Sequence, residues 1–386
     1  MKGKYIPLTA GLMMMVLAGC EGDSKVTIQE SAAPVITTIE ESSSLESGFF
    51  TERDLVQTVT LSEAMVVNLE SGKNSLISEE GIYVLSGNYE ETTLVVEADD
   101  EAKVQLVLDG LNIENSQWPA IYIKSGDKVF LTTQGENSLA VTENFKSDGD
   151  TNLDAVVFSR SDLVLNGTGS LTVDSARGNG ITTKDDLKVT GGTIIVEADG
   201  HGLEANDSIR IADGTLQITT GEDALHSEND DDLMKGYIVI QGGDLTIDAG
   251  DDGIRGTSTV LVEGGRIDIV NSQEGIEATQ VRIDDGEISI YATDDGINAT
   301  GKSPMDVLIE VYGGTIDVVM ADGDTDAFDS NGELYIYGGT IDIEARSSFD
   351  ANGTTELVDG TVRVNGEILT ELPQGRVGGG GKNHRA

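Results

Sequence analysis

Eight polar residues recur in one local setting along the chain. Asp154, Asn179, His201, Asp223, Asp252, Glu274, Asp295 and Asp326 each stand directly before a small residue and an apolar one. The pairs are Ala155-Val156, Gly180-Ile181, Gly202-Leu203, Ala224-Leu225, Gly253-Ile254, Gly275-Ile276, Gly296-Ile297 and Ala327-Phe328. One residue earlier come Glu222, Asp251 and Asp294. Two residues after the small one come Glu204, His226, Arg255, Glu277, Asn298 and Asp329. Oxygen donors without a thiolate suit a hard cation, and variable spacing favours Ca²⁺ over the stricter Mg²⁺. The expected ligands are Asp223, Asp251, Asp252, Glu274, Asp294, Asp295 and Asp326, helped by Glu277, Asn298 and Asp329. His201 and His226 fall on adjacent repeats; two histidines fall short of a zinc site, and surface positions are expected for them. No serine–histidine–acid set can be assembled. The glycine pairs precede strands rather than helix N-termini, so no phosphate loop is implied.

A repeat of about 22 residues must hold these residues in phase. The small residues are spaced 25, 22, 22, 29, 22, 21 and 31 apart, and the long steps carry insertions such as Asn229-Asp230-Asp231-Asp232 and Lys302-Ser303-Pro304. A second mark keeps the same phase, from Gly191-Gly192-Thr193 through Gly264-Gly265-Arg266 to Asp359-Gly360-Thr361. Between the marks lie alternating β-branched runs such as Val281-Arg282-Ile283 and Ile288-Ser289-Ile290, which read as strands. One such unit cannot bury its apolar side alone, whereas stacked units can. The expected fold is all-β, a parallel β-helix solenoid of nine or ten coils with three short strands each. Residues 51–153 are expected to form its N-terminal coils and cap, 154–370 its regular coils, and 371–386 a loose glycine-rich tail. Alternation should turn Ile254, Ile276 and Ile297 inward, and the small residue and the residue two later outward, leaving the backbone there open to a ligand. The acids would stack in a column, where like charges about 4.8 Å apart repel by roughly 0.9 kcal/mol per pair even in water. A counter-cation is expected to relieve that repulsion.

The chain has 386 residues, 69 acidic and 24 basic, for a formal net charge of −45. Such a balance excludes a nucleic-acid footprint and repels anionic lipid headgroups. A single cysteine excludes an internal disulfide. That cysteine closes the run Leu17-Ala18-Gly19-Cys20, behind Lys2, Lys4 and a short apolar stretch. The pattern looks like a bacterial lipoprotein signal, which implies cleavage of residues 1–19 and lipid on Cys20. Residues 20–50 read as a flexible linker. The expected location is extracytoplasmic and membrane-anchored through the lipid alone, at the outer membrane or cell surface, as a monomer.

Three blocks resemble the calcium-binding, pectate-lyase-like β-helix family of bacterial carbohydrate-binding proteins first described in clostridia. They are Gly81-Ile82-Tyr83-Val84-Leu85-Ser86-Gly87, Val107-Leu108-Asp109-Gly110-Leu111-Asn112-Ile113 and Pro119-Ala120-Ile121-Tyr122-Ile123-Lys124-Ser125. The coil motifs Asp251-Asp252-Gly253-Ile254, Asp294-Asp295-Gly296-Ile297 and Asp326-Ala327-Phe328-Asp329 fit the same family. The resemblance implies a right-handed β-helix that binds calcium and a plant-cell-wall type polysaccharide, polygalacturonate or cellulose. Asn179 and His201 replace acids in the early coils, and His226 and Arg255 interrupt the outward column. Two functions compete. In the first, calcium bridges an acidic polysaccharide to the column. In the second, the protein is a calcium-dependent lyase, for which Lys235 and Arg255 are the available bases. Aromatic residues make up only 4% of the chain, so broad stacking on a neutral glucan is less supported; Tyr237, Tyr291, Tyr312, Tyr335 and Tyr337 are candidate local platforms, with packing on strand faces the expected role. A structural adhesin is the remaining class.

Overall fold

The computed structural model describes residues 48–323 and 325–374. The expected signal segment, Cys20, most of the expected linker and residues 375–386 of the expected tail lie outside the described residues; the tail's first residues are not loose, since Leu372 is buried and Thr355 Oγ1 donates to the Pro373 carbonyl at 2.8 Å.

The described chain is a parallel β-solenoid. Each regular coil has three strands, as in Ile254–Gly256, Thr259–Val262 and Arg266–Asn271. The first strands stack into a parallel ladder of twelve. Leu225, Ile254, Ile276, Ile297, Phe328 and Phe349 lie directly above one another in it. The second and third strands form two further ladders. These merge at the N-terminal end because Lys103–Asn115 pairs with both Lys128–Gln134 and Glu136–Val141. The count is twelve coils rather than nine or ten, because Ser75–Ile77, Leu94–Glu97 and Ile121–Ser125 continue the corner ladder upstream. Eleven steps of about 4.8 Å give a stack about 53 Å long.

Alternation explains the interior. Ile254, Val260, Val262, Ile267 and Ile269 point inward and are at most 1% exposed. Stacked β-branched side chains fill the space between the ladders, which one coil could not do alone. The second sequence mark is the turn between the second and third strands. Gly192, Gly214, Gly243, Gly265, Gly286, Gly314, Gly339 and Gly360 all have positive φ there, between 83° and 127°. This is the conformation glycine supplies without penalty.

The expectation for the small residue of the first mark is overturned. A Cβ on Gly275 would stand 2.5 Å from Ile290 Cγ2 and 2.3 Å from the Gly296 carbonyl oxygen. On Gly253 it would meet Ile269, and on Gly296 it would meet Val318. These glycines face inward, against a third-strand side chain of their own coil. Gly253 and Gly275 lie in the bend before their strands, where alternation does not yet hold; Gly296 faces inward from within the strand Asp295–Ala299. Smallness here serves core packing and opens no path to a ligand.

The N-terminal segment also departs from a plain coil. Residues 49–57 form a strap across the second-strand ladder. Asp54 is fully buried, and its two carboxylate oxygens lie 3.1 Å from Lys128 Nζ and 3.1 Å from Lys188 Nζ. Gln57 Nε2 donates to the Thr190 carbonyl at 2.8 Å, and the Gly167 N–H donates to Gln57 Oε1 at 2.9 Å.

Candidate functional site

Two columns of polar side chains run along the corner ladder. The first holds the residues before the small one. It is a hydrogen-bonded ladder and not merely a stack of repelling charges. The Asp252 N–H donates to Asp223 Oδ1 at 2.9 Å, the Glu274 N–H to Asp252 Oδ1 at 3.3 Å, and the Asp326 N–H to Asp295 Oδ1 at 3.1 Å. His201 N–H donates to Asn179 Oδ1 at 2.9 Å, so asparagine does the same work. Asn179, Asp223, Asp252 and Asp295 therefore each satisfy an amide of the next coil. The expectation that this column opposes folding without a cation is corrected to that extent.

The second column is set by strand register. Glu204, His226, Arg255, Glu277, Asn298, Asp329 and Asp350 lie in line on the outward face. Its charges divide the site into two parts. In the first part the chain supplies its own cations. His226 Nδ1 lies 2.7 Å from Asp223 Oδ2, and Arg255 lies 3.9 Å from Asp223, 3.7 Å from Asp252 and 3.5 Å from Glu277. Lys302 also pairs with Glu277. Burial opposes charge on His226, but bonds to Asp223 and Glu228 outweigh it and push the imidazole up to about 9. Burial and the charge of His226 together hold His201 below the usual histidine range.

In the second part, Asp295, Asp326 and Asp329 bring one carboxylate oxygen each within 4.8 Å of the others. Asp295 and Asp329 have no ion pair with a basic side chain among the described residues. Burial, then repulsion from Asp329, pushes Asp295 up to about 7. Burial, then Asp326, Asp350 and Asp294, pushes Asp329 up to about 6. Asn298 is 7% exposed; its Nδ2 donates to Glu274 Oε2 at 3.0 Å, while its Oδ1 has no hydrogen-bond partner. Between the two parts, Asp252, Glu274 and Glu277 form a similar group. Burial with Asp223 and Glu277 raises Asp252 to about 7, and burial with Glu277 and Asp252 raises Glu274 to about 9. Asp251 joins Asp223 and Asp252 at the rim.

The expected ligands other than Asp294 are thus brought to one face, but as separate groups rather than one uniform column; Asp294 is exposed and joins none of these groups. His201 and His226 correct another expectation: His226 is buried and His201 half-buried, and their rings meet edge-on with centroids 4.2 Å apart. Their register with Asp223 is present in the repeat phase, and only the offset between the two columns hides it. The two candidate bases both hold their protons. Lys235 Nζ lies 2.6 Å from Asp207 Oδ2, and that bond raises its pKa. Arg255 is raised despite burial by Asp223 and Glu277.

Away from the corner, three tyrosines cluster. Tyr312 and Tyr337 stack at 4.7 Å with 18° between ring planes, Tyr335 follows at 5.9 Å, and Arg282 sits 4.7 Å over Tyr312. Tyr312 is exposed.

Comparison with known proteins adds to this geometry. A family model described as "Carbohydrate-binding domain-containing protein" matches residues 71–327. A protein of Acetivibrio thermocellus with the same description is 36% identical over 119 residues, 30% of this chain and 42% of its own length. The match therefore spans less than half of that relative. A solved structure described as the polysaccharide lyase-like protein from C. thermocellum, gadolinium derivative, is 24% identical with a TM-score of 0.41, covering 79% of this chain and 94% of its own.

Proposed function

The chain belongs to the family of carbohydrate-binding domain-containing proteins, and on that premise we propose that it is a non-catalytic module that binds acidic polysaccharide with calcium at its acidic corner. The observation that carries this reading is the group Asp295, Asp326 and Asp329 beside Asn298, whose buried Oδ1 lacks a hydrogen-bond partner. The donors are all oxygen, and raised carboxylate pKa values mark a place where positive charge is wanted. Asp295, Asp326 and Asp329 would hold the ion, and Asn298 would offer a neutral carbonyl. Calcium there would supply positive charge and open coordination positions for sugar carboxylates, as in polygalacturonate. Without such a bridge, a polyanion would be repelled by a chain of net charge −45. Asp223, Asp251, Asp252, Glu274 and Glu277 shape the neighbouring face, where His226, Arg255 and Lys302 already balance part of the charge.

In this reading Cys20 carries the lipid, and the residues between it and the strap tether a monomeric solenoid at the outer membrane or cell surface. Lyase action is disfavoured because Lys235 and Arg255 are both protonated partners of carboxylates. A second reading, neutral glucan binding of the cellulose type, is favoured by one observation. The stacked Tyr312–Tyr337 pair, with Tyr312 exposed, puts aromatic surface where a sugar ring could pack.

The test is an affinity gel containing polygalacturonate, run with calcium and with chelator. Calcium-dependent retardation of an intact polymer, lost in Asp329→Asn, is the expected result. A cleared zone would make the protein a lyase. No retardation in either lane would refute the acidic-sugar reading and turn attention to a cellulose gel.

A further inference from the structure

A second constellation stands apart from the oxygen-only group. His201 Nδ1 and His226 Nδ1 face each other at 3.4 Å. Asp223 Oδ2 lies 2.7 Å from His226 Nδ1 and 3.5 Å from His201 Nδ1. Asp223 is 1% exposed, and this oxygen accepts no well-aligned hydrogen bond, while its Oδ1 is used by the Asp252 N–H.

The outer nitrogens explain the orientation of the rings. His201 Nε2 lies 3.2 Å from Glu222 Oε2, and His226 Nε2 lies 3.0 Å from Glu228 Oε2. A carboxylate only accepts, so each Nε2 carries a proton; His201 turns its Nδ1 lone pair inward, whereas the charged His226 also holds a proton on Nδ1, directed at Asp223 Oδ2, which an entering metal ion would displace. Once that proton has left, two nitrogen lone pairs and a carboxylate oxygen converge. The Asp223 N–H, 3.2 Å from His201 Nδ1, is the one backbone donor among them. A carboxylate behind the far nitrogen is the outer shell that metal-bound imidazoles carry. Tetrahedral bonds of 2.0–2.1 Å place donors about 3.3 Å apart. The separations of 3.4 and 3.5 Å match this, and the 2.7 Å edge need only widen. A nitrogen-rich set selects zinc-class ions over calcium.

We propose that His201, Asp223 and His226 form a zinc-class metal site distinct from the calcium group. Its fourth position opens toward a cavity of about 880 Å³, which Lys184, Glu204, Asp207 and Lys235 also line. In the bound form His201 Nδ1 exchanges the Asp223 N–H for the ion, and His226 releases its Nδ1 proton to solvent. The site stands whether or not the acidic-sugar reading does, because its ligands are different residues read by a different probe.

The experiment is zinc titration of the chelator-stripped full chain in millimolar calcium, followed by calorimetry and by imidazole NMR. The chain has three histidines, so His384 serves as an internal control. One equivalent of zinc should bind and shift the His201 and His226 signals, leaving His384 in place. His201→Gln and His226→Gln should each weaken binding at least tenfold, and Asp329→Asn should leave it unchanged. Absence of the two shifts, displacement of zinc by calcium, or loss in Asp329→Asn without loss in either histidine variant would overturn the proposal. If a histidine variant fails to fold, the NMR of the native chain still decides.

Discussion

Stability of the metal-free protein should fall as pH rises, and calcium should restore it. Asp295 is pushed from 3.8 to about 7 in the folded chain. Between roughly pH 4 and pH 7 the folded state keeps a proton that the unfolded state has lost, so raising pH drains stability across that window and no further above it. A displacement of that size corresponds to about 4 kcal/mol. Asp329 is raised to about 6, but solvent screens it more, and the two acids share their repulsion rather than adding it. A loss of about 2–4 kcal/mol for the group is the expected magnitude. Asp252 and Glu274 titrate in the same direction, so the group is isolated by comparing the native chain with the double variant Asp295→Asn, Asp329→Asn. The assay is urea unfolding in chelator from about pH 5 to pH 8, with a parallel series in calcium. Calcium at a hundredfold excess over its dissociation constant would return about 2.7 kcal/mol. A metal-free stability that stays flat or rises across this range would refute the reasoning. So would a double variant that keeps the native slope, or one that calcium stabilises as much as the native chain.

Three further outcomes are expected. Asp54→Ala leaves Lys188 without its partner and Lys128 with only Asp162, 3.8 Å away, beneath the strap, and should lower stability by about 3 kcal/mol in urea unfolding; a loss under about 1 kcal/mol would mean that the strap is not held by this ion triad. Gly275→Ala should lower stability by about 1–3 kcal/mol, because its Cβ must push on Ile290 and the Gly296 carbonyl. If it instead leaves stability intact but blocks polysaccharide retention, the glycine keeps a path open to ligand. Tyr337→Ala should leave calcium-dependent retention on polygalacturonate unchanged and weaken retention on cellulose several-fold, if any is present; loss of the calcium-dependent retention would place the acidic sugar on the tyrosine face.

The coil repeat was legible because a solenoid applies one local rule many times. Ile254, Ile276 and Ile297 alternate inward by strand geometry alone, and the glycines of the second mark had to sit where φ is positive. The same phase placed Asp295 and Asp326 one above the other, and Asn298 beside Asp329. The direction of Gly253 and Gly275 was misread because alternation stops at the bend before the strand, where the chain turns its small residue against Ile269 or Ile290. The strap of residues 49–57 was invisible because its partners, Lys128, Gly167, Lys188 and Thr190, are far away in sequence and share no period with it.

The amino-acid sequence by itself determined that the fold is a stack of short strands and which residues line its polar corner, since period and phase are properties of the chain. Only the tertiary structure decided what those residues do for one another. It showed amides of the next coil satisfied by Asp223, Asp252 and Asp295, cations beside one half of the column, and three acids grouped in the other. It also turned two histidines inward onto Asp223. Register sets which residues are neighbours, but rotamer, burial and the distance between charges set whether neighbours repel, pair or wait for an ion, and those are fixed only when the coils are stacked.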